Sequence, residues 1–239
     1  MRDRLFVRQS ALRASRVVTV SEASRRDLIE TYGLRPERVV AIPNGVSPAF
    51  HPSASMSSAH DKSERPVRLL GVGTLQPRKN LGRLIDAIAL VSGELPISLR
   101  LVGPDGFQAT EIRRRMRGRG DVTIVGYLSD DALAAEYRNA DALVYPSIYE
   151  GFGLPVLEAM ACGTPVITST GGSLPEVAGD AAELVDPYDV EGLARAIIKV
   201  ATQPDYAAGL QARGLARASE FTWDRSARRH LEVYQELAG

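Results

Sequence analysis

The hydrophobic positions of the chain fall into short runs that predict β-strands, separated by longer segments with helical periodicity. Eight apolar runs predict strands: Val17–Val20, Val39–Ile42, Val67–Val72, Leu99–Val102, Val122–Val125, Ala142–Tyr145, Pro165–Thr168 and Glu183–Val185. Most of these runs are continuous rather than alternating, which is typical of parallel strands buried on both faces.

The segments between these strands predict helices: Glu22–Tyr32, Leu81–Val91, Thr110–Arg117, Asp130–Asn139, Pro155–Ala161 and a helix-rich tail from Val190 to Leu237. Ser21, Asn80 and Ser129 each stand one residue before a helix and are predicted N-caps. Alternation of strands and helices predicts an α/β fold with a doubly wound, Rossmann-like parallel sheet. Such a sheet binds ligands at the carboxyl ends of its strands, so the loops there are the candidate site.

Three segments lie outside this alternation. The first sixteen residues predict an amphipathic helix ahead of the sheet. Pro52–Glu64 has no periodicity and is predicted to be a surface loop within one domain, because strand character resumes at Val67. Residues 221–239 predict a terminal helix. The remaining residues, 17–220, are predicted to form a single Rossmann-like domain.

Composition narrows the class of protein. The 239 residues include 29 basic and 29 acidic side chains, so the formal net charge is zero. This balance argues against a nucleic-acid partner, which needs a basic surface. No run approaches the roughly 18–20 apolar residues of a membrane span. Cys162 is the single cysteine and the N-terminus has no signal-peptide pattern, so we expect a cytoplasmic protein.

Several common site motifs are absent from the sequence. Gly71-Val72-Gly73 follows a strand, but Gln76 stands where a dinucleotide fingerprint needs its third glycine. There is no P-loop, no Gly-x-Ser-x-Gly elbow and no Asp-x-Asp pair, and the three histidines are scattered. We therefore expect no bound metal ion and no cofactor.

Residues 71–80, GVGTLQPRKN, combine a strand end, a glycine turn and two cations before a helix. This suits a phosphate group, because glycine allows close backbone approach, the helix start offers free N–H groups, and Arg78 and Lys79 supply charge. Cations at a helix N-terminus are unfavourable by up to about 1 kcal/mol, so an anion is expected to compensate them. The alternative is a solvated Arg-Lys pair in a surface turn.

Residues 150–160, EGFGLPVLEAM, follow the strand Ala142–Tyr145 and enter a helix. The glycines let the backbone approach a ligand, which makes this loop a second anion cradle. Glu150 and Glu158 are expected at the same edge of the sheet, where two carboxylates suit the vicinal hydroxyls of a ribose and a hexose. The alternatives are a solvated loop residue for Glu150 and a favourable helix-dipole interaction for Glu158.

The spacing from Glu150 to Glu158 resembles the E-x7-E motif of GT-B-fold retaining glycosyltransferases of the family 4 type, in their C-terminal "glycosyl transferases group 1" domain. YPS at 145–147, ACGTPV at 161–166 and GGSLPE at 171–176 extend the resemblance. TVSE at 19–22, IPNGV at 42–46 and RKN at 78–80 are also similar to landmarks of this family. The resemblance covers almost the whole chain.

The resemblance implies a site for a nucleotide-diphosphosugar donor. Lys79 and Arg78 would hold the diphosphate, Glu158 the ribose hydroxyls and Glu150 the transferred sugar, with Glu150, Lys79 and Arg78 as the catalytic set. The other implied donor contacts are Gly73 and Thr74, the loop Gly126, Tyr127 and Leu128 near the base, and the backbone of Gly151, Phe152, Gly153 and Leu154. Thr74 stands where many relatives carry an arginine, which places more of the charge compensation on Arg78 and Lys79.

The implied activity is transfer of a hexose with retention, mannose being favoured, from GDP-mannose or a UDP-sugar to a polysaccharide or lipid-linked acceptor in bacterial polysaccharide assembly. Residues 1–16 would be a linking helix, 17–220 the nucleotide-sugar-binding domain, and 221–239 a helix that crosses back to an N-terminal acceptor-binding domain missing from this chain. We therefore expect weak or no turnover by the chain alone and an exposed apolar patch on the crossing helix. Peripheral association of the full enzyme with a membrane is a further expectation. Two alternatives stay open: a nucleotide-sugar-binding module without turnover, and a nucleotide-sugar epimerase on a related fold.

Overall fold

The computed structural model describes residues 2–53 and 65–238. Most of the predicted loop Pro52–Glu64 lies outside the described residues. The strands are β1 (Val17–Thr19), β2 (Val39–Ala41), β3 (Val67–Val72), β4 (Ile97–Val102), β5 (Val122–Gly126), β6 (Ala142–Tyr145), β7 (Val166–Ser169) and β8 (Glu183–Val185). The helices are α1 (Arg2–Arg13), α2 (Glu22–Tyr32), α3 (Leu81–Val91), α4 (Ala109–Arg115), α5 (Asp130–Asn139), α6 (Leu154–Ala161), α7 (Leu174–Ala178), α8 (Val190–Thr202), α9 (Pro204–Ser219) and α10 (Trp223–Ala238).

Six strands form one parallel sheet in the order β5-β4-β3-β6-β7-β8. Strand β4 pairs with one side of β3, and β5 pairs with β4. Strand β6 pairs with the other side of β3, where Leu69 lies beside Ala142. The strand order therefore reverses between β3 and β6. In a doubly wound sheet this reversal opens a crevice at the carboxyl ends, and ligands bind there. The predicted fold class is confirmed.

Strands β1 and β2 lie outside this sheet. Within the described residues they pair with each other in parallel, with Val17 beside Val39. Nothing in the hydrophobic pattern indicates this separation, because a strand's apolar run does not specify its partner. The predicted domain boundaries at residues 16/17 and 220/221 stay predictions.

The six-stranded sheet is buried on both faces. Leu69 and Leu70, neighbours in β3, are 2% and 1% exposed and belong to two different core clusters. The Leu69 cluster includes side chains of α3, α4 and α8, whereas the Leu70 cluster includes side chains of α5, α6 and α7. Because successive strand residues point to opposite faces, these helices form one layer on each side of the sheet.

The helical tail divides into three helices. Proline at position 204 begins α9, and the Thr222 hydroxyl accepts a hydrogen bond from the N–H of Arg225 where α10 begins. Helix α10 exposes large apolar side chains, as predicted: Trp223, Leu231, Tyr234 and Leu237. Among the described helices, none is both long and apolar enough to cross a membrane.

Two of the three predicted caps are confirmed. Ser21 and Ser129 each accept a hydrogen bond from the backbone N–H three residues on. The prediction for Asn80 is wrong: it adopts a left-handed conformation with φ of 60° and makes no side-chain cap. Its amide group instead donates to the carbonyl oxygens of Pro146 (3.0 Å) and Pro187 (2.6 Å). Asn80 therefore ties together the loops that follow β3, β6 and β8.

Candidate functional site

The candidate site lies where β3 and β6 end side by side. Residues 73–80 follow β3 and residues 146–153 follow β6, and both loops emerge at the carboxyl edge because the strands are parallel. This brings Lys79 and Glu150 together, with Nζ of Lys79 2.6 Å from Oε1 of Glu150. Both side chains are buried. The predicted phosphate cations and the first glutamate of the motif therefore meet at the reversal point of the sheet.

Arg78 completes an arginine–glutamate–lysine cluster. Its guanidinium donates to Oε2 of Glu150 at 2.5 Å, so each oxygen of the carboxylate binds one cation. Arg78 is half exposed, whereas the other two side chains are more than nine-tenths buried. Glu150 is therefore the anion that compensates the two cations, and the alternative of a solvated loop glutamate is wrong.

Tyr145, the last residue of β6, is a third buried partner that the sequence analysis did not single out. Its hydroxyl accepts a hydrogen bond from Nζ of Lys79 and donates one to Oε1 of Glu150 at 2.9 Å. The ammonium lies at the oxygen edge of the tyrosine ring, 4.6 Å from the ring centre. The only sequence signal was its place at the end of a buried strand, next to the Pro-Ser of the YPS motif.

The pKa values of Glu150 and Lys79 are both lowered, which favours the charged form of the carboxylate and disfavours that of the ammonium. Burial alone would raise the pKa of Glu150, but the charge of Lys79 and the hydrogen bonds around the carboxylate lower that pKa overall. Burial lowers the pKa of Lys79, and attraction to Glu150 offsets part of this effect. Because Arg78 and Lys79 carry two positive charges and Glu150 one negative charge, the cluster keeps an excess positive charge for an anionic ligand.

Gly73 makes room for the Lys79 side chain. Its φ is 133°, and a Cβ atom there would lie 2.9 Å from Cε of Lys79. A larger residue would therefore push the lysine away from Glu150. Thr74 follows half-buried in the same turn. Arg78 and Lys79 lie in a short 3₁₀ turn, Pro77–Lys79, so they precede α3 rather than begin it.

The glycine loop presents unpaired backbone donors beside the cluster. Within the described ranges, the N–H groups of Gly151, Phe152, Gly153 and Leu154 donate to no protein acceptor. They lead into the N-terminus of α6, which begins at Leu154, and free N–H groups and the helix dipole there favour an anion. The Phe152 ring is buried and packs edge-on against Phe221 at 6.0 Å, so it anchors the loop.

Two flanking helices hold this loop in place. The hydroxyls of Ser21 and Ser24, at the start of α2, donate to the carbonyl oxygen of Gly151 at 2.7 and 3.1 Å. The Glu176 carboxylate, on α7, accepts the first two backbone N–H groups of α2 at 2.9 and 3.1 Å. The Ser173 hydroxyl shares its one proton between the carbonyl oxygens of residues 150 and 152, at 3.0 and 2.8 Å. The TVSE and GGSLPE motifs therefore support the site without belonging to the predicted set.

Glu158 lies in the second turn of α6, half-buried, at the same edge. Its carboxylate accepts a hydrogen bond from the hydroxyl of Tyr137 at 2.8 Å. Burial raises the pKa of Glu158, and the charge of Lys79 acts in the opposite direction. Glu158 is therefore more than a helix-dipole residue, because a fully buried tyrosine orients it.

The loop predicted near the base lies two strands away, after β5. Gly126 is the last residue of β5 and not part of the loop; its φ is 87°, and its carbonyl oxygen accepts the N–H of Gly103, which follows β4. Tyr127 is 78% exposed and Leu128 packs partly into the core. No contact among the described residues joins this loop to the Lys79–Glu150 pair, so its role stays a prediction. Phe107, in the loop after β4, is 96% exposed and was missed by the sequence analysis.

Comparison with known families decides what kind of protein carries this site. The family model described as glycosyl transferases group 1 matches residues 54–217, well over half of the chain. The chain belongs to the glycosyl transferases group 1 family. A second model, Glycosyltransferase Family 4, matches residues 2–50, the segment that contains β1, α2 and β2. The family predicted from the motifs is thus confirmed.

Curated relatives of this group 1 chain include named mannosyltransferases. O-antigen chain mannosyltransferase B of Escherichia coli is 33% identical over 237 residues, which cover 94% of this chain and 61% of the relative. MMP alpha-(1->4)-mannosyltransferase of Mycolicibacterium hassiacum is 33% identical over 230 residues, which cover 92% of this chain and 54% of the relative. The chain therefore spans between about half and three fifths of the length of these two relatives.

Solved structures share the fold of this group 1 chain. Sucrose-phosphate synthase from Thermosynechococcus elongatus superposes with a TM-score of 0.83 at 30% identity, over 99% of this chain and 62% of the synthase. Anabaena HepE in complex with UDP and glucose superposes with a TM-score of 0.85 at 24% identity, over 98% of this chain and 66% of HepE. The second likeness shows the fold alone.

Proposed function

We propose that this chain is the donor-binding part of a hexosyltransferase that uses a nucleotide-diphosphosugar. The observation that carries the proposal is the cluster of Arg78, Lys79 and Glu150 at the reversal point of the sheet, beside a loop with four N–H groups that have no acceptor in the described part of the chain. Cations and free N–H groups at one edge are what a diphosphate requires. Family membership makes glycosyl transfer the reaction that uses such a site.

In this proposal the diphosphate binds the third N–H of the Lys79 ammonium, the guanidinium of Arg78 and the N–H groups of residues 151–154. The anomeric bond breaks through an oxocarbenium-like transition state while negative charge accumulates on the departing diphosphate. Preorganised cations and N–H groups stabilise that charge, an effect worth several kcal/mol at comparable sites. Glu150 exchanges part of its contact with the cations for hydroxyls of the transferred sugar.

Glu158 is assigned to the ribose. A carboxylate oriented by Tyr137 accepts hydrogen bonds from vicinal hydroxyls, and its place one turn into α6 lies beyond the glycine loop. Tyr127 and its neighbours are assigned to the base, on the support of the exposure of Tyr127 at the same edge of the sheet. These assignments, and retention of configuration, rest on the family resemblance.

Mannose is the favoured sugar and GDP-mannose the favoured donor. Two relatives are named mannosyltransferases, which supports mannose, while a neighbour of the same fold was solved with UDP and glucose, which keeps a UDP-sugar as the alternative. We place the acceptor, a polysaccharide or a lipid-linked sugar, on an N-terminal acceptor-binding domain. The greater length of the relatives supports a further domain.

Calorimetric titration of the chain with UDP, GDP and ADP, and then with their sugar conjugates, tests the proposal. We expect one nucleoside diphosphate to bind, and its sugar conjugate to bind more tightly. A folded sample that binds none of the three overturns the donor site. Binding without transfer, after an acceptor-binding domain and an acceptor are supplied, would make the chain a nucleotide-sugar-binding module.

A further inference from the structure

Lys79 and Glu150 share a partner to which the proposed reaction assigns no role. Tyr145 is 2% exposed, and its hydroxyl contacts both Nζ of Lys79 and Oε1 of Glu150. With the direct Lys79–Glu150 contact of 2.6 Å, the three groups form a closed ring of hydrogen bonds. The sheet shields this ring of hydrogen bonds from water on one side, because Tyr145 is the last residue of the central strand β6.

The hydrogen-bonding capacity of the three groups fixes what remains free. A tyrosine hydroxyl donates one hydrogen bond, and here that bond goes to Glu150. An ammonium group donates three hydrogen bonds; one goes to the Tyr145 oxygen and one to Glu150. Among residues 2–53 and 65–238 no third acceptor contacts Nζ, so one N–H of Lys79 remains, with its direction set by the other two.

We propose that Tyr145 is a positioning residue for the diphosphate of the donor. Its hydroxyl holds the Lys79 ammonium at the reversal point of the sheet, with the remaining N–H available to a phosphate oxygen. A lysine side chain that is already held loses less conformational freedom when a ligand binds. The inference rests on the proposed function, and it adds that Lys79 stays on Tyr145 while Glu150 turns toward the sugar.

A second lysine–glutamate–tyrosine cluster elsewhere in the chain offers a matched control. Nζ of Lys199 lies 2.9 Å from Glu183 and 3.9 Å from the ring centre of Tyr206, whose hydroxyl donates to the same carboxylate. This cluster joins β8, α8 and α9 and is more exposed than the first. Replacing either tyrosine with phenylalanine removes the same chemical group.

Calorimetry on the parent chain, Tyr145→Phe and Tyr206→Phe tests the inference. We expect Tyr145→Phe to bind GDP or UDP about tenfold more weakly, the effect of losing one hydrogen bond to a charged group. Its affinity for the free nucleoside should stay within about twofold of the parent, because general loosening of the fold would weaken both ligands. Tyr206→Phe should bind as the parent does. Folded Tyr145→Phe with parental diphosphate affinity overturns the inference.

A measurement on the unsubstituted protein complements this test. Lysine labelled with ¹³C at Cε gives three signals, from Lys62, Lys79 and Lys199, and Lys79→Arg assigns the second. The inference predicts that the NOEs between the ε-protons of Lys79 and the ring protons of Tyr145 persist when the chain is saturated with the diphosphate. Loss of these NOEs on binding means that Lys79 leaves Tyr145, which overturns the inference. A parent chain that binds no nucleotide overturns the proposed function as well.

Discussion

The ammonium of Lys79 lies 2.6 Å from Oε1 of Glu150, although 71 residues separate them along the chain. They meet because β3 and β6 are parallel neighbours, so the residues that follow the two strands share one edge. Further partners of the pair are Arg78 and Tyr145. A change to this pair should therefore alter folding stability and ligand binding together, and matched changes elsewhere can separate the two effects.

Replacing Lys79 with methionine removes one partner of a buried ion pair. We expect the free energy of unfolding to fall by about 3 kcal/mol, at the low end for such a loss because Arg78 still neutralises Glu150. Urea unfolding at neutral pH measures this. The control is Lys199→Met, which breaks a more exposed pair with Glu183 and should cost less than about 1 kcal/mol. Equal losses in the two variants would contradict the burial argument.

Replacing Glu150 with glutamine removes the anion that occupies both cations. We expect the variant to bind the nucleoside diphosphate at least as tightly as the parent, because Arg78 and Lys79 no longer share their charge with a carboxylate. The additional affinity of the sugar conjugate should be lost. Calorimetry with the diphosphate and its sugar conjugate separates the two. If the variant instead loses the diphosphate and keeps the sugar-dependent part, the roles of Glu150 and Lys79 are misassigned.

The two glutamates of the motif should show opposite pH dependence. Burial raises the pKa of Glu158, so the stability it contributes is fully present below the ordinary carboxyl pKa of about 4.3 and is lost as the pH rises through the raised value. For Glu150 burial acts in the same direction, but Lys79 and the hydrogen bonds prevail and lower its pKa. Its contribution is thus present above about pH 4.3 and lost as the pH falls through the lowered value.

Between pH 4 and 7, the free energy of unfolding of Glu158→Gln should therefore rise relative to that of the parent. The gain should be ~0.5–1 kcal/mol at most, because the group is half-buried. Over the same range the free energy of unfolding of Glu150→Gln should fall relative to that of the parent. Denaturant unfolding at several pH values checks both variants. The stability differences should grow from acid to neutral pH with opposite signs. The same sign in both variants would show that the two carboxylates have similar surroundings.

Replacing Gly73 with alanine should displace Lys79. The new Cβ would lie 2.9 Å from Cε of Lys79, in addition to the strain of a φ of 133°, so we expect a loss of stability of about 2–3 kcal/mol and weaker diphosphate binding. Gly118→Ala is the control, because φ there is 78° and no atom lies within 4 Å of the added Cβ. Gly118→Ala should lower the free energy of unfolding by about 1–2 kcal/mol and leave the affinity for the diphosphate unchanged. If both variants bind the diphosphate with the same affinity, Gly73 is needed for the backbone conformation of the turn and not for the position of Lys79.

Local features of the fold were predictable from the sequence because local periodicity determines them. The bounds of α2, α3 and α5 match the predicted ones, as do those of β3 and β6. The separate pairing of β1 with β2 was not predictable, because strand pairing depends on residues distant in the chain. Helix α7 was missed because its five residues are too few to show a period.

The site was predictable in its members but not in its contacts. The motifs identified Lys79, Glu150 and Glu158, yet Glu150 was expected beside a sugar and instead binds both cations. Asn80 was expected to cap α3, but its amide joins two other loops, since a left-handed residue cannot place its side chain over the helix start. Tyr145 was overlooked because a tyrosine at the end of a buried strand is ordinarily a core residue.

The ratio of diphosphate to nucleoside affinity tests the central claim, a diphosphate held by the two cations. The parent chain and the double variant Arg78→Met, Lys79→Met are titrated calorimetrically with GDP and guanosine, or with UDP and uridine if the parent prefers UDP. We predict that the parent binds the diphosphate at least about a hundredfold more tightly than the nucleoside, since two charge-assisted contacts contribute, and that the double variant loses most of this difference. An unchanged ratio in a folded double variant would contradict the account.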